Sequence, residues 1–316
     1  MFAARGIAIS FSVFVMVYCA LSLAVCCVWS RVWMHCQRQP VRRVADFLFG
    51  LRMFPLATAA VVTAVFTVPS FLLLEPRSID EPIGGINLAL GACGALLGIF
   101  GVVNAGMAVR RASRSISAWT TEAQAVRQGS AVPVLRIART FPAMTAAGIV
   151  RPRVLVSSAA EFLLNTNELQ TALNHEVAHV RRWDNLKRLL LRFVAFPGMG
   201  GLETAWFEAT EMAADDAAVA NAADALDLAA ALIKLSRLGP VEPPADLTAA
   251  LVHSPASAMN ARVERLVTWS EERRVPSQKY SLWYGVCGSL ATVALLAVSY
   301  SQLLVRVHAA TEWLVR

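Results

Sequence analysis

Charge is what this sequence has least of. Only 16% of its 316 residues are Asp, Glu, Lys or Arg, where a water-soluble domain carries about a quarter, so an ordinary soluble globule is excluded. Cysteine offers no framework either. Cys19, Cys26, Cys27, Cys36, Cys93 and Cys287 all fall in or beside apolar runs, and none stands at metal-ligand spacing from a histidine. That excludes a secreted disulfide scaffold and leaves the cysteines as apolar packing residues. Acids are fewer than bases, 22 against 29, yet the arginines are not interleaved with aromatics as a nucleic-acid surface requires. They flank the apolar runs, where membrane topology accounts for them, and no direct nucleic-acid partner is expected. Histidine occurs only five times.

What the chain has in their place is uncharged length. Residues 7–30, 54–74, 83–109 and 282–305 each form an apolar run long enough to cross a bilayer. A cleavable signal peptide is the competing reading of the first. Arg5 alone precedes it, the run is too long and its far flank is basic, which favours a retained helix. Between the first two runs, residues 31–53 hold Arg31, Arg38, Arg42, Arg43 and Arg52 against Asp46 alone, and are expected to form a cytoplasmic loop. Residues 75–82 hold three acids against one arginine and suit an outer loop, and Arg110, Arg111 and Arg114 return the chain to the cytoplasm. The N-terminus and the tail from Arg306 to Arg316 are then outside. Within the third run, Gly94 and Gly98 form a G-x-x-x-G pair that admits a close helix neighbour. The division is a three-helix region over 1–110, a mixed soluble insert over 111–281, and a fourth span with a short tail over 282–316. The lipid bilayer is the first partner implied.

The insert carries two of the five histidines in one motif, His175-Glu176-Val177-Ala178-His179. Composition alone would produce H-E-x-x-H in roughly three chains per thousand. On a helix, imidazoles four residues apart lie one above the other and can share a zinc ion, while Glu176 faces the same cleft as a general base. The helix itself is predicted by Asn165 and Glu168, a capping-box pair, followed by apolar positions Leu169, Ala172, Leu173, Val177 and Val180 at helical spacing. The alternative is an amphipathic helix whose histidines are incidental.

Two histidines leave a catalytic zinc one protein ligand short. Downstream, Glu211 and Asp215 stand four residues apart on one helical face. Glu211 is the expected ligand, with Glu208 as fallback, and Asp215 is expected to orient a ligating histidine through its free ring N–H. A solvated acidic face is the plainer reading of the same spacing. Asp184 is expected to support the end of the motif helix through Arg181 or Arg182. No oxyanion donor is identifiable beyond a lone His253.

Elsewhere in the insert, residues 115–128 suggest a helix continuing from the membrane. Residues 132–137 suggest a short edge strand because of Pro133, and residues 145–150 and 153–157 suggest two further strands. An exposed strand there would bind a substrate backbone by strand addition, or it forms a plain hairpin under the helix. Residues 186–207 are apolar but interrupted, which fits a helical pair that touches the membrane.

The run Gly148 to Val156, the motif followed by Arg182 and Asp184, and then Glu211 to Asp215 together resemble the BlaR/MecR-type membrane zinc metallopeptidases of β-lactam sensing. The topology of three spans, a zinc domain and a fourth span is similar too. The resemblance implies a mainly α membrane protein: four transmembrane helices, with an α+β gluzincin-like zinc peptidase domain inserted between the third and fourth. It further implies residence in a bacterial inner membrane, and a regulatory endopeptidase that cuts a cytoplasmic transcriptional repressor, another protein or peptide, or itself. A homodimer is compatible with it. The chain stops about ten residues beyond the fourth run, without the family's penicillin-binding domain, so antibiotic sensing does not carry over. A quality-control protease of the HtpX or CAAX-processing kind is the second reading, and a non-catalytic zinc-binding receptor or scaffold the third.

Overall fold

A computed structural model describes residues 2–36, 39–76, 84–121, 123–127, 132–138, 142–194, 196–238, 249–250, 256–269 and 299–311. The protein is mostly helical with one small mixed sheet. It divides into two compact units: Met1–Arg31, Gly50–Gly101 and Val275–Arg316 form one, and Val32–Phe49 with Val102–Arg274 the other.

Among the described residues, three helical stretches are long and apolar enough to cross a membrane: Phe2–Met34, Val41–Leu74 and Gly85–Thr120. Helix α1 covers Phe2–Cys36, α2 covers Val41–Val61, and a π-helical turn over Val62–Thr67 joins α2 to α3 (Val68–Leu74); α4 covers Gly85–Thr120. The arginine-rich stretch 31–53 is therefore not a loop. Most of it continues α1 and opens α2, because nothing in its composition breaks a helix except Pro40 at the start of α2. The π turn has a local cause. Pro69 has no N–H to offer the carbonyl of Val65 one turn earlier, and the Tyr300 hydroxyl donates to that carbonyl at 2.8 Å. Most of the expected fourth span, 282–305, lies outside the described residues; 299–311 are helical.

Close packing of α4 on α1 also differs in detail from the expected glycine pair. A methyl group at Gly94 would lie 2.9 Å from Val15 Cγ2 and 3.0 Å from the Phe11 carbonyl oxygen, and one at Gly91 would lie 3.1 Å from the Ala8 carbonyl, whereas Gly98 has open space. The contact pair is Gly91 and Gly94, three apart on the face that meets α1.

The second unit holds the sheet, in the order β1-β2-β4-β3-β5. Its strands are β1 (Gln124–Arg127), β2 (Val134–Ile137), β3 (Met144–Ala147), β4 (Arg153–Ser157) and β5 (Ala249–Ala250). β2 runs parallel to β4; the other pairings are antiparallel. Two expectations are corrected. Helix α4 ends at Thr120, and β1 follows where a continued helix was predicted. β2 is not an edge strand, since β1 covers it; Pro133 sits just before it and only accepts, from the Val154 N–H at 2.9 Å. β3 is followed by Gly148, whose φ of +92° and 2.8 Å approach to the Arg151 carbonyl exclude any side chain.

Among the described residues the unit has six further helices: α5 (Ser158–Leu163), α6 (Thr166–Arg181), α7 (Asp184–Phe193), α8 (Gly200–Ala218), α9 (Ala222–Leu235) and α10 (Ala256–Val267). α6 starts at the predicted capping box: the Asn165 side chain accepts from the Glu168 N–H and the Glu168 carboxylate accepts from the Asn165 N–H, both at 2.9 Å. The main core lies between sheet and helices, with Val154, Val156, Leu228, Leu232 and Leu266 buried in one cluster.

The packing of α4 on α1 generates a discriminating test. Gly94→Val should destabilise the protein by about 1–3 kcal/mol through overpacking, whereas Gly98→Val should leave stability within about 0.5 kcal/mol, as read by denaturant titration in detergent. Equal effects at the two positions would contradict the packing described.

Candidate metal centre

The site forms where α6, α7, α8 and β3 meet. On α6 the capping box sets the phase, so that Ala172, His175, Glu176 and His179 all turn inward and are buried. α8 brings Glu211 and Asp215, one turn apart, and both are buried. α7 enters through a sharp reversal at Trp183, whose φ of +57° is the only positive value at a non-glycine among the described residues. A left-handed residue with a side chain costs about 1–2 kcal/mol. That reversal brings Asp184 back onto the imidazole of His179.

Both histidines are held from behind by carboxylates. His179 Nδ1 lies 2.8 Å from Asp184 Oδ2. His175 Nδ1 lies 2.9 Å from Asp215 Oδ1, a close ionic contact set off the ideal hydrogen-bond angle. With the Nδ1 protons directed at carboxylates, each ring presents its Nε2 lone pair to the other side. The rings stand 79° apart, and their Nε2 atoms converge to 3.1 Å. Glu211 closes the triangle, with Oε2 3.6 Å from His175 Nε2 and Oε1 3.5 Å from His179 Nε2.

Three acceptor groups that converge in a buried place suit a cation between them; the Glu211 carboxylate also accepts from Arg262 at 3.1 Å and from Arg188 at 3.5 Å. Nitrogen and oxygen ligands at about 2.0–2.1 Å around a tetrahedral ion stand about 3.3 Å apart, close to the separations seen. His175, His179 and Glu211 can therefore hold a metal ion. Without one, a proton serves: burial works against the His175 cation, but the carboxylates of Asp215 and Glu211 outweigh it and push its pKa up to about 9. Burial likewise opposes the Glu211 anion, yet the charges of the His179 and His175 rings and of Arg262 hold its pKa down at about 2.

Glu176 is fully buried beside these groups. Its Oε2 accepts the Ala146 N–H of β3 at 2.6 Å, and its Oε1 has no hydrogen-bond partner among the described residues. Burial raises its pKa, against the pull of the His175 and His179 charges. A carboxylate with one oxygen anchored and the other unmet, next to a cation site, is arranged to exchange protons.

Of the residues singled out from the sequence, His175, Glu176, His179, Glu211, Asp215 and Asp184 come together here. Asp184 does more than brace the helix end, because it holds a ring directly. Its other oxygen faces Arg182 Nε at 3.6 Å. Glu208 is absent from the ligand triangle, and His253 lies outside the described residues.

The sequence reading missed Arg262, Asn185, the Ala146 N–H that anchors Glu176, and Arg188, which donates to Glu211 Oε1 at 3.5 Å. Arg262 of α10, 2% exposed, donates to both oxygens of Asp215, at 2.8 and 2.6 Å, and to Glu211 Oε2 at 3.1 Å. Burial disfavours the guanidinium, but these carboxylates hold it charged and raise its pKa further. Nothing in its sequence neighbourhood distinguishes it from a surface arginine of an amphipathic helix. Asn185 donates to the Ala146 and Gly148 carbonyls at 3.1 and 3.2 Å, tying α7 to the strand that anchors Glu176. Its adjacency to Asp184 was the only available signal.

Carboxylates behind metal-bound histidines are worth about 10–100-fold in metal affinity. Asp184→Asn and Asp215→Asn should each weaken metal binding by about that factor, and Glu176→Gln should leave it within about threefold, measured by competition with a chelator. Unchanged affinity in both Asp variants would contradict the support described. No model of a known protein family matches the chain, and no curated protein does.

Proposed function

We propose that this protein is a zinc-dependent endopeptidase embedded in a bacterial inner membrane, regulatory in role, whose substrate is a cytoplasmic or membrane-associated protein. The observation that carries the reading is the buried triangle of His175, His179 and Glu211 beside a carboxylate with an unmet oxygen. The two-nitrogen, one-oxygen donor set suits zinc and leaves a position open for reactants. The gluzincin-like domain, the fourth span and the BlaR/MecR-type kinship belong to this proposal. The paired residues Arg182 and Asp184 after the motif favour that kinship over the quality-control proteases.

When bound, the metal supplies Lewis acidity toward a peptide carbonyl and toward water. The chain's own residues do the rest. Asp184 and Asp215 hold the imidazoles so that both Nε2 lone pairs point inward. Arg262 fixes Asp215 and Glu211 in place and balances their charge. Glu176 Oε1 takes a proton from the attacking water and passes it to the departing amine. Its Oε2 stays bonded to Ala146 throughout, which keeps the carboxylate oriented. The surrounding walls bury the site, so these charges act at low dielectric.

β3 supplies more than that anchor. It is bordered by β4 and by the two-residue β5, and all four of its residues are buried. It thus serves the site as a support for Glu176 and Asn185, in keeping with the plainer of the two expectations for these strands.

Glu176→Gln should lower peptide cleavage at least about a hundredfold, the typical worth of a general base, with the metal content unchanged. The assay uses purified full-length protein with a protein substrate, alongside elemental analysis of the same samples. Cleavage persisting at the wild-type rate in a metal-loaded Glu176→Gln sample would rule out the mechanism.

A further inference from the structure

Helix α4 carries a marker of depth along its own length. Its apolar run ends at Arg110, Arg111 and Arg114, all of them exposed. On a stretch long and apolar enough to cross a membrane, such a basic boundary marks the bilayer surface. α7 packs across that boundary. Leu189, together with Ile149 from the turn after β3, packs on Ala108 and Ala112 of α4. Further along, the Asn104 side chain donates to the Arg192 carbonyl at 2.6 Å. Asn104 precedes Arg110 by six residues, about 9 Å of helix. The end of α7 therefore lies on the apolar side of the arginine boundary.

Three observations fit lipid at that end. The exposed residues of α4 at this level, Val102, Val103 and Met107, are apolar, so the medium around them also surrounds the end of α7. Arg192 belongs to the last turn of α7, where carbonyls have no partner within the helix. Water would satisfy such a carbonyl, but the interior of a bilayer cannot. Asn104, a polar residue inside an apolar run, supplies the donor. The make-up of α7 agrees. Leu186, Leu189, Leu190 and Phe193 share one face at helical spacing and are only partly buried, while Arg188 and Arg192 lie on the opposite face. That is the pattern of a helix at the boundary of headgroups and acyl chains. Arg192 is exposed and can extend its guanidinium toward the headgroups.

We infer that the end of α7 is inserted into the surface of the bilayer, with phospholipid as the partner of its leucine and phenylalanine face. The insertion bears on the metal centre, because α7 is only 10 residues long and begins with Asp184, which holds the His179 ring. One short helix, about 15 Å in length, thus ties a metal-binding side chain to the membrane. The contact does not depend on the peptidase reading, and its test reads lipid contact alone.

Unsubstituted full-length protein is reconstituted into vesicles of phosphatidylglycerol and phosphatidylcholine that contain a phospholipid with a diazirine in its acyl chain. After illumination, lipid adducts are mapped by mass spectrometry of the digested protein. α5 is the reference, since Phe162 is 94% exposed and α5 follows the end of β4 remote from the Ile149 turn. Residues 186–193 should be labelled at least about tenfold more than residues 158–163, as burial among acyl chains requires. Labelling of α7 no higher than that of α5 overturns the inference. So does labelling of α4 at Val102 and Val103 with none on α7, which would mean that water or a second copy of the chain covers that face.

Discussion

Two imidazole nitrogens and a carboxylate converge on one buried point of this protein. His175 Nε2 and His179 Nε2 are 3.1 Å apart and Glu211 faces both. Such an arrangement suits a cation at its centre, and the neighbouring side chains hold the three groups in place. Asp184 holds one ring, Asp215 approaches the other, and Arg262 pins the carboxylates. Each support comes from a different helix. The capping box at Asn165, the left-handed turn at Trp183, the one-turn spacing on α8 and the packing of α10 are therefore conditions on a single point in space.

That dependence explains how much could be read from the sequence. The α6 helix, its cap and the inward face bearing the imidazoles follow from short-range periodicity, which a linear chain displays openly. Glu211 and Asp215 were legible for the same reason, being one turn apart. Arg262 was not, because a residue forty-seven positions beyond Asp215 is joined to it only by tertiary folding. The role of Ala146 was hidden further still, since it acts through its backbone N–H and any residue type would supply one.

The misjudged elements have physical reasons of the same kind. Pro133 suggested a sheet edge, but a proline just outside a strand removes no ladder bond, and β1 was free to pair beyond it. The G-x-x-x-G spacing at Gly94 and Gly98 marked a plausible helix contact, yet only the rotation of α4 against α1 decides which glycine faces the neighbour, and it selects Gly91 and Gly94. The arginines of 31–53 were read from charge as a loop, although arginine is a good helix former and charge alone breaks no helix.

In the proposed enzyme, the fold separates two tasks. The second unit builds a rigid, buried donor set, and the apolar helical stretches bind the chain to a bilayer. The most direct test of the central claim is X-ray absorption on purified full-length protein at the edge of the metal that copurifies with it. The account predicts two imidazole nitrogens and carboxylate oxygen around the metal at about 2.0–2.2 Å, a pattern lost in His175→Ala. Sulfur in the coordination sphere, or an imidazole pattern unchanged in that variant, would contradict it.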